Sequence, residues 1–172
     1  MKIAIIDLET TGLDPKKHEI IEVGCVVFND KNFKIIDSFE VKVRPTHPET
    51  GDEKAFITNG YTEEKWKDAH SLTYAMKLLN ILTKDAIFCS NNIVFDWNFL
   101  EIASELTQID CAFHYKRIDI FTMAWVKIPH DKMTSWRLKA MCQYLNIEPE
   151  PDIHTALNGA MKAYEVYKKL MK

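Results

Sequence analysis

Apolar residues run unbroken from Ile3 to Ile6, and the run closes on Asp7-Leu8-Glu9-Thr10, with one leucine between two acids. A short isoleucine-rich segment of this kind predicts a buried β-strand. Successive side chains on a strand alternate faces, so Asp7 and Glu9 point the same way at its end. Gly12 to Lys17 carries Gly, Pro and paired Lys and reads as a loop at the mouth of whatever that face builds. Ile20 to Phe28 is again β-rich, Asn29-Asp30-Lys31-Asn32 reads as a hairpin turn, and Phe33 to Val43 alternates apolar and polar positions. Three consecutive strands therefore open the chain.

Helical spacing takes over downstream. Arg44 to Gly60 is rich in Pro, Thr, Glu and Gly and is expected as a surface connection ending in the turn signal Asn59-Gly60. From Ser71, the positions Leu72, Ala75, Met76, Leu79 and Leu82 predict a helix that packs one face on a sheet. Ala86 to Cys89 reads as a short buried strand. From Asn92 the chain turns helical, with Phe95, Phe99, Ile102 and Leu106 on one stripe and Asp96 at its start. Arg117 to Ile120 reads as another short strand. Thr134 or Ser135 is the expected N-cap of a helix through about Asn146, and a last helix runs from about Thr155 to Lys169. Three strands followed by alternating helix and strand predict an α/β fold with a mixed sheet.

Composition narrows the function classes. A chain of 172 residues with 47% apolar content is expected to form one domain, residues 1–172, with its own core. The net charge of −3 supplies no overall basic field, so any nucleic-acid binding must rest on local patches. Cys25, Cys89, Cys111 and Cys142 are widely spaced without a C-x-x-C pair and read as reduced core residues, which argues against zinc binding. Neither a signal peptide nor an apolar run of membrane-spanning length is present, so a cytoplasmic protein with no membrane partner is expected.

The acids then carry the chemistry. Two carboxylates converging at a strand end repel one another, and a shared proton or a bound cation relieves them. Oxygen ligands suit Mg²⁺ or Mn²⁺. In open sheets, ligand sites gather where strand ends meet helix starts, and Asp7, Glu9 and Asp96 all qualify. His154, at the start of the last helix, faces a helix dipole that disfavours its imidazolium, which leaves a ring able to accept a proton.

Asp7-Leu8-Glu9-Thr10-Thr11-Gly12-Leu13-Asp14-Pro15, then Asn92-Ile93-Val94-Phe95-Asp96-Trp97-Asn98-Phe99-Leu100, then His154-Thr155-Ala156-Leu157 resemble the three motifs of the DEDDh 3′→5′ exonucleases. That superfamily includes the epsilon proofreading subunit of DNA polymerase III and oligoribonuclease. The likeness runs from Ile5 to Leu170, with Ile20-Ile21-Glu22-Val23-Gly24 and Asn59-Gly60-Tyr61-Thr62 also resembling family positions. It implies a ribonuclease H-like fold, a five-stranded mixed sheet with the second strand antiparallel, flanked by helices. It also implies phosphodiester hydrolysis with two divalent metal ions, Mg²⁺ or Mn²⁺. Asp7 would bridge both ions, Glu9 would bind the nucleophile-side ion, Asp96 the leaving-group ion, and His154 would be the general base. Thr10, Thr11 and Leu13 would contact the terminal nucleotide, with Asn92 and Phe95 opposite; for Leu13 and Phe95, core packing is the competing reading.

One position departs from the pattern. The family carries an Asp five residues after the motif His, and here that residue is Gly159. A mid-helix Gly costs about 1 kcal/mol relative to Ala, so helix formation does not explain it. An altered enzyme, a degenerate relative that binds nucleic acid or a partner without catalysis, and a deliberate inactivating substitution all fit. The implied substrate is a single-stranded DNA or RNA 3′ end. Because the chain ends soon after its last helix, a free-standing protein is expected, or one that joins a polymerase or replication complex through an unmarked surface. Lys127, His130, Lys132, Arg137 and Lys139, interleaved with Trp125, Met133 and Trp136, either grip phosphates and stack bases or form a solvated helix face over core tryptophans.

Overall fold

Lys2–Thr10 forms β1, the central strand of a five-stranded sheet ordered β3-β2-β1-β4-β5 in the computed structural model, which describes residues 1–172. Strands β2 (Ile20–Asn29) and β3 (Ile35–Lys42) follow as antiparallel neighbours, while β4 (Ile87–Ser90) and β5 (His114–Asp119) run parallel to β1. Only β2 is reversed, which is the mixed ribonuclease H-like sheet that the motifs imply. A strand sandwiched between helical layers must be apolar on both faces. That is why Ile3, Ala4, Ile5 and Ile6 are all buried, each isoleucine contributing about 1.5–3 kcal/mol.

Alternation along β1 sorts its side chains between two cores. Ala4, Ile6 and Leu8 join Val23, Cys25 and Val27 of β2 beneath α2 (Leu72–Thr83) and α3 (Ile93–Thr107). Ile3 and Ile5 join Val26 and Phe28 on the opposite face, beneath α4 (Ile120–Lys127), α5 (Leu138–Tyr144) and α6 (Ala156–Leu170). Odd-numbered positions therefore face α6, and Asp7 and Glu9 continue that row. Helix α6 lays Ala156, Gly159, Ala160, Ala163, Tyr164 and Tyr167 on the sheet, the spacing of one helical stripe. Phe28 packs edge-on against Tyr164 and Tyr167 at centroid distances of 5.0 and 5.2 Å. Where the helix begins, the approach is closest: a Cβ at Gly24 would lie 2.1 Å from the Ala156 carbonyl carbon and oxygen. Gly24 is the register partner of Asp7, so this approach sets the distance between the acid and α6.

Three helices differ from the sequence reading. The expected surface connection Arg44 to Gly60 contains a turn of 3-10 helix at Pro48–Thr50 and helix α1 at Glu53–Asn59, whose end is closed by Gly60 in the left-handed region at φ 65°. Strand β5 ends earlier than expected and Ile120 opens α4, capped by the Asp119 carboxylate, which accepts the Thr122 N–H at 3.0 Å. Helix α5 begins at Leu138 with Arg137 at its cap; Thr134 and Ser135 lie in the preceding turn, where the Ser135 hydroxyl accepts the Arg137 N–H at 3.3 Å. These differences have one cause, since short helices without a strong apolar stripe are held by tertiary contacts in place of local propensity. No helix is long and apolar enough to cross a membrane.

Candidate active site

A cleft of about 980 Å³ opens at the end of β1. Asp7, Glu9, Thr10 and Leu13 line one wall, Phe95 and Asn91 another, and Glu150, His154, Arg137 and Lys139 a third. Four segments distant in sequence thus meet. Asp96, 4% exposed in the first turn of α3, does not line the cleft, but of the neighbouring carboxylates its charge acts most strongly on Asp7. A second cavity of about 480 Å³, lined by His18, Arg44, His70 and Phe99, holds none of the expected site residues.

Backbone and buried polar contacts fix these positions. The Asn59 side chain donates to the Thr10 carbonyl at 3.1 Å, and the Asp52 N–H donates to the Thr11 carbonyl at 2.7 Å, so α1 clamps the end of β1. Thr10 donates its hydroxyl to the Gly12 carbonyl at 2.7 Å and shapes the loop that carries the exposed Leu13. Thr11 does not line the cleft: it is fully buried, and its hydroxyl accepts the Glu19 N–H at 2.9 Å. Asn92 does not line it either: it sits at the N-cap position of α3 without a side-chain capping hydrogen bond, while its neighbour Asn91 faces the cleft. Phe95 tilts on Phe99 at 5.0 Å and also lines the cleft.

The loop bearing His154 is tied down at both ends. The His154 N–H donates to the Thr58 carbonyl at 3.0 Å. Immediately after it, Glu22 accepts the Ala156 N–H at 3.0 Å, Glu40 accepts the Leu157 N–H at 2.9 Å, and the Thr155 hydroxyl accepts the Asn158 N–H at 3.4 Å. Three acceptors satisfy the free amides of α6, and two of them are carboxylates placed against the positive end of its dipole. The His154 ring is half-exposed, with Nδ1 3.7 Å from Glu150 Oε1.

Burial and crowding push the acids upward. Asp7 is held well above the usual carboxylate range by loss of hydration, then by the charges of Asp96, Glu9, Glu150 and Glu22. Burial raises Glu9 to about 8, helped by Glu22, Glu150 and Asp96. Burial raises Asp96 to about 7, partly offset by the neighbouring Ser90 hydroxyl. Glu22, also buried, rises to about 7, partly offset by the hydrogen bond from Ala156. Such a set holds protons at neutral pH or takes up a cation.

As they stand, no three His, Cys, Asp or Glu side chains converge closely enough to hold an ion. By donor chemistry the cleft nevertheless fits a hard cation. Its candidates are all oxygens, and the Asn91 Oδ1, buried and without a hydrogen-bond partner, adds another beside the acids.

Position 159 looks directly at this set. A Cβ on Gly159 would stand 2.2 Å from Asp7 Oδ2 and 2.7 Å from its Cγ, so the Asp7 carboxylate occupies space that any side chain there would claim. The mid-helix glycine thereby has a structural correlate. Glu150 went unmarked in the sequence reading: its side chain is 12% exposed, it lies in an irregular loop, and only its place four residues before His154 pointed to it. Glu22 did carry a signal, as the one acid within the apolar run of β2.

The RNase_T exonuclease family profile matches residues 4–167. Among curated relatives, a PolC-type DNA polymerase III of Thermotoga petrophila is 28% identical over 169 residues, covering 98% of this chain and 12% of that protein. The 3′-5′ exonuclease DinG of Staphylococcus epidermidis is 30% identical, covering 97% of this chain and 18% of that one. The chain thus spans less than a fifth of these relatives. Among solved structures, the nuclease domain of 3′hExo, a DEDDh family member bound to rAMP, superposes with a TM-score of 0.77 at 22% identity, covering 99% of this chain and 91% of that one. E. coli Exonuclease I in complex with a dT13 oligonucleotide superposes with a TM-score of 0.81 at 16% identity, covering 99% and 41%. At these identities the structural likeness bears on the fold.

Proposed function

The chain belongs to the RNase_T exonuclease family, and from that premise we propose that it hydrolyses phosphodiester bonds one after another from single-stranded 3′ ends. The observation that supports the reading is that Asp7, Glu9 and His154, from β1 and the α6 loop, line one cleft, with Asp96 of α3 buried close enough for its charge to act on Asp7. Asp7, Glu9 and Asp96 would hold Mg²⁺ or Mn²⁺ ions, which when bound polarise the phosphate and lower the pKa of an attacking water. His154 takes that water's proton, and its partial exposure gives it access to solvent for release. Thr10, Leu13 and Phe95 hold the terminal nucleotide; Thr11 acts one step back by fixing the loop, and Asn92 contributes at the start of α3 only its backbone carbonyl, which accepts the Phe95 N–H. Free Cys25, Cys89, Cys111 and Cys142 suit a reducing, cytoplasmic setting. Likeness to PolC-type polymerase and DinG segments supports nucleic-acid ends as substrate and a polymerase or replication complex as partner.

Gly159 favours a second reading, a relative that binds strands with little or no catalysis, because the family's carboxylate is absent where it would face Asp7. One experiment separates the two. Single-stranded DNA and RNA labelled at the 5′ end are incubated with the protein and Mg²⁺ or Mn²⁺. A ladder shortening from the 3′ end, abolished by EDTA and reduced about a thousandfold or more by Asp7→Ala, supports the enzyme. No shortening, or shortening indifferent to both, refutes it.

A further inference from the structure

Beside the cleft, α4 and the turn before α5 assemble a chain of rings of which only Trp136 packs against the core. Trp125, 44% exposed, lies 4.1 Å from His130 and 4.8 Å from Trp136 between centroids, and Phe121 joins at 5.8 Å from Trp125. Two contacts anchor the cluster. Trp136 packs onto the buried core, and His130 Nε2 lies 2.9 Å from the Trp125 carbonyl oxygen. Phe121 and Val126 are also exposed, so the outer ring faces and their surroundings form an apolar surface that no part of this chain covers.

We propose that this surface is a stacking platform for the unpaired strand 5′ of the bound end, resting on the exonuclease reading above. Continuity with the cleft supports that occupant: Arg137 follows Trp136 directly and, with Lys139, lines the cleft wall. A backbone leaving the acids passes these two cations before its bases reach Trp125. Charge supports it as well. Residues 120–139 carry Lys127, Lys132, Arg137 and Lys139 against Asp131 alone, in a chain of net charge −3. Lys127 is committed to the Leu170 carbonyl oxygen, and Lys139 to Asp152 only at 3.9 Å, with both side chains exposed. Aromatic faces with adjacent cations take single-stranded bases of any sequence, whereas a duplex presents no free base face. This strand site would raise affinity with length without touching the reacting phosphate.

The test is binding without hydrolysis. In EDTA, 5′-fluorescein dT3 and dT12 are titrated by anisotropy against the unaltered protein, Trp125→Ala and Trp125→Phe. The unaltered protein should bind dT12 more tightly than dT3. Trp125→Ala should weaken dT12 by about five- to a hundredfold, the range for one stacked base, and leave dT3 unchanged. Trp125→Phe should retain most of the affinity. Tryptophan fluorescence of the unaltered protein should quench with dT12 and not with dT3, a readout that needs no variant to fold. Equal dT12 binding by Trp125→Ala, equal loss for both lengths, or no selective quenching overturns the platform and leaves the face to a protein contact. A protein that shortens 3′ ends without the Trp125 length effect keeps the exonuclease reading and loses this one. A protein that cleaves nothing yet binds dT12 through Trp125 supports the platform and loses the enzyme.

Discussion

Replacing Gly159 by Asp is the most informative perturbation, with Gly159→Ala as its control. The new Cβ would start 2.2 Å from Asp7 Oδ2, where ordinary contact begins at 3.4 Å, so the Asp7 carboxylate must retreat by about 1.2 Å. Overpacking of this kind costs about 1–3 kcal/mol, and removing a mid-helix Gly returns about 1 kcal/mol. Propensity alone would have the substitution stabilise the helix; set against the contact with Asp7, the net is a cost of up to about 2 kcal/mol. Both variants should therefore melt below the parent in EDTA, by roughly 2–4 °C for each kcal/mol lost, and the Asp variant further at pH 8 because it adds a like charge. With Mn²⁺ the two should part. Only Asp offers the ions another oxygen, and an affinity gain of about 10–100-fold corresponds to about 1.4–2.7 kcal/mol. Melting temperatures in EDTA and across a Mn²⁺ titration, with calorimetric Kd values, measure the cycle. If Asp gains no more from Mn²⁺ than Ala does, position 159 takes no part in metal binding and the reading of the third motif, His154 included, fails.

Three further outcomes follow from the same site. His154→Ala should lower the cleavage rate by about 10²–10⁴-fold while keeping the Mn²⁺-induced rise in melting temperature; a lost metal response would make His154 structural. Glu9, Asp96 and Glu22 have folded-state values raised to about 8, 7 and 7 from ordinary values near 4, so the folded state binds more protons than the unfolded one between those limits. Their contribution is full below about pH 4 and lost as pH rises to about 8, so the metal-free protein should melt progressively lower from pH 5 to 9 and saturating Mn²⁺ should flatten the trend. A flat metal-free profile refutes the crowding. Glu150→Gln removes a charge that bears on Asp7 and Glu9, and should raise the metal-free melting temperature at pH 8 but not at pH 4; equal effects at both would mean that packing, not charge, is responsible.

Local patterns in the chain were enough to define most of its elements. Two-residue alternation and unbroken apolar runs encode strands buried on one or both faces, which is why β1 to β4 lie close to their expected positions, as do helices α2, α3 and α6, although the buried face of α3 runs through Asp96, Phe99, Leu100 and Ala103 and leaves Leu106 exposed. Asp7 and Glu9 could be paired from their spacing, since a strand leaves little freedom over where its side chains point. Strand order came from resemblance, because pairing between distant segments has no local period. Helices α1 and α4 escaped for the reason that their stability lies in what they touch: α1 exists to clamp Thr10 and Thr11, and its one buried residue is Asn59. Thr11 shares a motif with Thr10 yet turns inward, a difference decided by Glu19 across the loop. Likewise the sequence marked Gly159 as missing a carboxylate, but only packing shows that the Asp7 carboxylate occupies the space beside it. That outcome depends on how closely α6 approaches the sheet at Gly24, a distance set by residues far apart in the chain that meet only after it folds.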